Sequence, residues 1–443
     1  MRAISELLGK GSRGRSKISP KAPRVLFICH NHPAFHPGGT EIFAHDLYRE
    51  LVETRQIEGM FLACTNGVHR AQKPGTNFQV VGQEPDEIVL WTGHFDRFFM
   101  SQVDTHGIVP ELSDLLRTFK PDIVHFHHVL MIGVEALFLV RRILPEARIV
   151  VTLHDYYSIC PNDGQMVKAG SHELCHESGT DACRKCFPDK TPDQFTLRRN
   201  HIQTMFGVVD QFVSPSRFLR NRYAAWGLPA ACVEVVPNGR PGVTPAPARH
   251  VARGGARNVF GYFGNLSPYK GVMVALAAVE NLIKAGERDF SFVIHGGAPF
   301  QTDEFRNALD AAVKAVGANV SLRGPYVPGD VPKLIEEIDW VIVPSIWWEN
   351  APLVIQEAFQ HRRPVICSDI GGMAEMVRDG VDGLHFRVGD AHSLADVMKR
   401  SLQTPSLWNS LVEKIAAVPT IEQSAARHAR LYADLLKHEL RVA

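Results

Sequence analysis

Short β-branched and aromatic runs alternate along the chain with stretches whose apolar residues recur every three or four positions. That alternation is the pattern of repeated strand–helix units and a parallel sheet. In the first half the runs predict strands at Arg24–Cys29, Gly59–Thr65, Ile123–His127, Arg148–Asp155, Gln211–Ser216 and Val233–Pro237. In the second half they predict Phe260–Phe263, Phe290–Gly296, Val320–Arg323, Trp340–Pro344, Pro364–Ser368 and Leu384–Val388. A helix is predicted over Glu41–Val52, where Phe43, Leu47 and Leu51 share one face. Between the two series, Asn238–Asn258 is rich in Gly, Pro, Ala and Arg without periodicity and reads as an interdomain linker. A last helix, Ile421–Leu440, follows Pro419 and is long enough to pack back across the domain junction.

The predicted architecture is α/β, two Rossmann-like parallel-sheet domains facing each other across a cleft. The predicted segments are a basic tail (1–23), a first domain (24–240), a second domain (241–420) and a C-terminal helix (421–443). Ligands of such sheets bind at the carboxyl ends of the strands. The 443 residues and 21% charged content fit a soluble globular protein. The formal charge of +1 argues against a dedicated nucleic-acid binder. Seven basic side chains and one acid within residues 1–24 make the tail +6, a charge suited to an anionic membrane face as well as to a solvated terminus. No signal sequence and no run near 20 apolar residues is present, which predicts a cytoplasmic protein with reduced thiols.

Three motifs fall on the predicted strand ends. Pro37, Gly38, Gly39, Thr40 and Glu41 open a helix soon after the first strand; paired glycines let backbone N–H groups approach a phosphate, though Thr40 as N-cap of a plain turn is the simpler alternative. Gly261, Gly264, Asn265, Lys270 and Gly271 repeat that logic and deliver a lysine to the loop. The spacing is not the dinucleotide fingerprint. From Trp347 to Glu357 two glutamates stand eight apart, Glu349 in a loop and Glu357 inside a helix starting near Pro352. Carboxylates there accept hydrogen bonds from sugar and ribose hydroxyls while the helix start faces phosphate.

With Thr152–Asp155, Ser214–Ser216, Val236–Gly239 and Asp369–Glu375 in this order, the chain resembles a family 4 retaining glycosyltransferase of the GT-B fold over nearly its whole length. The resemblance implies that Lys270 holds the donor diphosphate, Glu357 the ribose, and Glu349 the sugar hydroxyls. It also implies that Asn350, Ala351, Pro352 and Leu353 meet phosphate and sugar through their backbone, and that Gly38 and Gly39 close on the diphosphate. His154 would lie beside the anomeric carbon, and Gly324–Val327 would hold the base. His154, Lys270 and Glu349 are then the catalytic candidates. Asn265 stands where the family pattern has arginine, so one cation is missing from the phosphate loop, with Arg217 or Arg240 as candidate substitutes.

The implied partners are a UDP- or GDP-linked nucleotide sugar and a sugar or lipid-linked acceptor of surface polysaccharide or glycolipid assembly. Catalysis then needs no cofactor, and the chain lacks the D-x-D of metal-dependent designs. A nucleotide-sugar epimerase and a catalytically silent donor-binding subunit are the alternative functions; an NAD-dependent oxidoreductase lacks its glycine motif.

Two further clusters carry candidate chemistry. His125, His127 and His128 end one strand, with His125 and His127 on one face and His128 on the other; a cleft wall is the better reading and a metal site the minor alternative. Cys160, Cys175, Cys183 and Cys186 fall within 27 residues and end in C-x2-C, which suits a structural zinc, with His172 or His176 as substitute ligands. Reduced, unliganded thiols are the alternative.

Overall fold

The structure, a computed structural model, describes residues 22–66, 77–171, 173–252, 255–299 and 301–437. The basic tail up to residue 21, His172 and the last six residues lie outside the described residues. The chain divides into two units, one built on 22–170, Cys175–Pro241 and 419–437, the other on Ser171–Leu174 and Gly242–Val418.

In the first unit the elements run β1 (Arg24–His30), α1 (Gly39–Glu53), β2 (Glu58–Thr65), β3 (Phe78–Val81), β4 (Glu84–Trp91), β5 (Phe95–Asp96) and β6 (Ser101–Gln102). They continue with α2 (Thr105–Phe119), β7 (Ile123–Phe126), α3 (Ala136–Ile143), β8 (Arg148–Thr152), α4 (Thr180–Arg184), α5 (Pro192–Phe206), β9 (Gln211–Ser214), α6 (Arg217–Trp226) and β10 (Val233–Val235). Eight strands form one sheet in the order β10-β9-β8-β7-β1-β2-β4-β3, parallel throughout except for the β3–β4 hairpin. Val25 to Cys29 are buried without alternation, as expected of a parallel strand covered on both faces.

The second unit runs β11 (Val259–Phe263), α7 (Val272–Lys284), β12 (Ser291–His295), α8 (Asp303–Val316), β13 (Val320–Gly324), α9 (Val331–Ile335) and β14 (Trp340–Val343). There follow α10 (Leu353–Gln360), β15 (Val365–Ser368), α11 (Gly371–Met376), β16 (Gly383–Phe386), α12 (Ala391–Gln403) and α13 (Pro405–Lys414). Its six parallel strands are ordered β13-β12-β11-β14-β15-β16. All twelve predicted strands are present, and several are shorter at the carboxyl end than the apolar runs suggested. Among the described residues, the stretch before β11 has no helix or strand, yet it is tied down: Arg249 and Arg257 both pair with the fully buried Asp339, at 2.6 and 3.1 Å.

The last element among the described residues is α14 (Ile421–Lys437), which belongs to the first unit. Its Ile421, Ala425, Leu431 and Tyr432 share a core with Phe43, Ala44, Leu47 and Leu51 of α1. No helix among the described residues is long and apolar enough to cross a membrane.

Candidate functional site

In the second unit, glycines decide how closely the strand-end loops approach. Gly271 has φ +72°, and a Cβ there would lie 1.8 Å from the Pro344 carbonyl oxygen, so only glycine lets the turn before α7 rest on the end of β14. Gly372 plays the same part for the next loop: a Cβ would meet the Asn350 carbonyl at 1.9 Å, and its N–H donates to the Glu349 carbonyl at 2.6 Å. These two contacts bring Lys270 and Glu349 together.

The Lys270 Nζ lies 2.6 Å from Glu349 Oε1 and 5.4 Å from the centre of the Trp347 ring. Ser345 Oγ and Trp347 Nε1 donate to the same oxygen at 2.8 and 2.9 Å. Three donors thus converge on Oε1, and Oε2 takes none of them. Burial works to raise the Glu349 carboxyl, but the Lys270 charge and the three hydrogen bonds outweigh it and hold it below the usual range.

Glu357 is half-buried on α10, whose N-cap is Pro352; no N-cap side chain occupies the first N–H groups of that helix. Burial, then the Glu357 charge, raises the phenol of Tyr326, which places that carboxylate close to the Gly324–Val327 segment. Phe263 stacks on His295 at 4.9 Å and meets Tyr326 edge-on at 5.9 Å, giving this segment an aromatic floor. Val327 itself is 61% exposed. Asn265 is exposed, and its carbonyl accepts from the Tyr262 hydroxyl at 2.8 Å.

In the first unit, α1 begins at Gly39 with Gly38 as N-cap, not Thr40. The Glu41 side chain turns back over Gly38, where a Cβ would lie 2.3 Å from Oε2, and its Oε1 lies 3.3 Å from His30 Nε2. Burial pushes the Glu41 carboxyl up to about 7.

The His154 side chain follows β8 beside His127, with Nε2 and Nδ1 3.1 Å apart. His128 Nε2 pairs with Asp155 at 2.8 Å on the other side, so the histidines split between two faces as their alternation predicted. His125 bonds Tyr432 of α14 and Thr152 of β8, both at 2.7 Å.

Among the described residues, the one group of three His, Cys, Asp or Glu side chains with ligating atoms mutually within 4.8 Å is His32, His45 and Glu87. Its chemistry is that of a hydrogen-bonded carboxylate. The His32 Nδ1 accepts the Ala34 N–H at 3.1 Å, so its proton sits on Nε2 and faces Glu87, while Arg49 holds the other carboxylate oxygen at 3.3 Å. A metal on Nε2 requires the opposite tautomer. The four clustered cysteines do not form such a group. Cys160 and Cys175 are buried, and Cys186 Sγ accepts the Ala169 N–H at 3.4 Å.

Sequence reasoning missed Ser345, four residues before Glu349, and His295, at the end of β12. It also missed Glu87, which lies in an unpredicted strand. For Ser345 and His295, placement directly after an apolar run was the available signal.

Residues 257–404 match the model described as glycosyl transferases group 1, and residues 37–241 match that of glycosyltransferase family 4. The chain is similar to the alpha-D-kanosaminyltransferase of Streptomyces kanamyceticus, 29% identical over 37% of this chain and 41% of that protein. It is also similar to the lipopolysaccharide 1,2-N-acetylglucosaminetransferase of Salmonella typhimurium, 29% identical over 40% of this chain and 48% of that protein. The chain thus spans less than half the length of these two curated relatives. Among solved structures, HepE of Anabaena in complex with UDP and glucose aligns over 93% of this chain and 99% of its own, with TM-score 0.62 and 17% identity. Sucrose-phosphate synthase of Thermosynechococcus elongatus aligns over 94% and 99%, with TM-score 0.66 and 18% identity. Matched by family models in both halves and by these folds along its length, the chain belongs to the family 4 glycosyltransferases and has the GT-B fold.

Proposed function

We propose that this chain is a retaining glycosyltransferase that moves a sugar from a UDP- or GDP-linked donor to a hydroxyl of a sugar or lipid-linked acceptor in surface polysaccharide or glycolipid assembly. The observation that carries the reading is the Lys270–Glu349 arrangement. One carboxylate oxygen is saturated by three donors and the other is left for a ligand hydroxyl, beside an ammonium and an uncapped helix start. Lys270 and the α10 N–H groups stabilise the charge that develops on the departing diphosphate. Glu349 positions the sugar, and Glu357 takes the ribose hydroxyls. The acceptor O–H attacks the anomeric carbon from the leaving-group face as the C–O bond to phosphate breaks, and its proton passes to a phosphate oxygen. No protein carboxylate is needed as nucleophile, and no metal in the reacting step.

The HepE complexes with UDP and with UDP-glucose, and relatives named for sugar transfer to lipopolysaccharide and inositol phosphate, support the donor and acceptor classes. The cytoplasmic, peripheral setting belongs to the same proposal, with the basic tail as the membrane contact. A panel of nucleotide sugars, read by thermal stabilisation and by nucleoside diphosphate release with and without acceptor, tests it. One donor should stabilise the protein and release diphosphate when acceptor is present; a sugar converted to its epimer without acceptor would identify an epimerase instead.

Asn265 favours one second reading, a donor-binding subunit without turnover, because a neutral exposed amide stands where the family pattern supplies a cation. That reading expects stabilisation by the donor and no diphosphate release.

A further inference from the structure

Between the candidate catalytic histidine and the core of the first unit lies a second histidine that the proposed chemistry does not use. His127 is fully buried, stacked on Phe27 at 5.4 Å and on His154 at 5.4 Å, with the His125 ring 4.2 Å away. The two stacked rings hold its plane, and the 3.1 Å contact to His154 is what fixes which way its two nitrogens point. Nδ1 faces His154 Nε2 at 3.1 Å. Nε2 is buried and has no hydrogen-bond partner among the described residues.

Both rings are neutral at physiological pH. Burial lowers the pKa of His127 well below its ordinary value, and that of His154 to about 3. Each ring then carries one proton, and only one can stand between them. If His154 Nε2–H donates to His127 Nδ1, the proton of His127 sits on Nε2, a buried N–H with no acceptor. If His127 Nδ1–H donates to His154 Nε2, the orphaned group is a lone pair. Of the two, a buried N–H without an acceptor is the rarer in native proteins, so the second arrangement is favoured.

We infer that His127 is a positioning residue: it donates Nδ1–H to His154 Nε2, fixing the single proton of His154 on Nδ1. His154, two residues beyond the end of β8, therefore carries a hydrogen-bond donor and not an acceptor at Nδ1. A donor there suits an oxygen acceptor, of the protein or of a sugar or diphosphate that reaches it. That use rests on the glycosyltransferase reading; the proton's position does not.

The test is a long-range nitrogen–proton correlation spectrum of the ligand-free full chain with labelled imidazoles at neutral pH. Difference spectra of His127→Gln and His154→Gln assign the two rings among the 21 histidines. The expected result is the Nδ1–H pattern for His154. His127→Asn, whose amide N–H takes the place of Nδ1–H, should keep that pattern, and His127→Leu should lose it. A wild-type His154 protonated on Nε2, or on both nitrogens, overturns the inference, as does an unchanged pattern in His127→Leu. If His127→Leu fails to fold, the wild-type and His127→Asn spectra still decide. Absence of turnover with every nucleotide sugar would strike the functional reading and leave the proton assignment standing.

Discussion

Lys270 and Glu349, 79 residues apart in sequence, are joined by a 2.6 Å ion pair that two glycines make possible. Gly271 seats the lysine turn on the end of β14, and Gly372 seats the glutamate loop on α11. The pair is asymmetric, because Glu349 is buried while about a third of the lysine side chain stays exposed. The lysine therefore neutralises the glutamate, and under the proposed function the donor's diphosphate would compete for it.

A double-mutant cycle checks that asymmetry. Lys270→Met leaves a buried carboxylate without its cation and should destabilise by about 1–3 kcal/mol, below the range for fully buried pairs because the lysine is partly hydrated. Glu349→Gln should lose less. The double variant should be more stable than Lys270→Met alone, by chemical denaturation; additive losses would mean that the pair is not coupled.

Glu41 gives a pH signature. Its carboxyl is raised by burial to about 7 from an ordinary 4.5. Between those values the unfolded chain has lost a proton that the folded chain keeps, so this group's contribution to stability falls as pH rises from 4.5 to 7 and then levels off. Glu41→Gln should match wild type near pH 4 and exceed it at pH 8 by up to about 3 kcal/mol. The buried histidines act in the opposite sense below about pH 6.5, so the comparison is read at pH 8, where they are neutral in both proteins. A Gln variant less stable than wild type at pH 8 would show that the ionised carboxylate is the folded form.

Asn265→Arg restores a cation to the loop after β11. Since Asn265 is exposed and uses only its carbonyl, through Tyr262, the larger side chain fits without repacking. Diphosphate release should stay equal or rise. A large loss with the fold intact, by circular dichroism, would give the asparagine a role of its own.

The cysteine loop has a sharp readout. Four thiolates around one zinc, each about 2.3 Å from the metal, require the sulfurs to draw closer than they stand here. Purified protein is expected to carry about one zinc per chain, lost in the Cys183→Ser/Cys186→Ser variant together with protease resistance of residues 160–190. Metal-free wild type with a resistant loop would assign four reduced thiols.

The sheets were legible because strands covered on both faces leave continuous apolar runs. The β3–β4 hairpin was not, since Glu84, Pro85, Asp86 and Glu87 hide a strand whose apolar part begins only at Ile88. With it went the clamp of His32 and His45 on Glu87, made 55 and 42 residues away along the chain. The motif residues themselves were found, but not their state. Strands end before His127 and His154, and the side-chain bonds that set each proton come from elements no local pattern connects.

The account stands most directly on stereochemistry. With the donor that the panel identifies, an α-linked nucleotide sugar, and an acceptor, the anomeric configuration of the first-formed product can be read by proton NMR during turnover. The account predicts an α-linked product, with diphosphate released in equal amount, and loss of both in Glu357→Ala through weakened donor binding. A β-linked product would contradict it, because attack would then have come from the face opposite the leaving group.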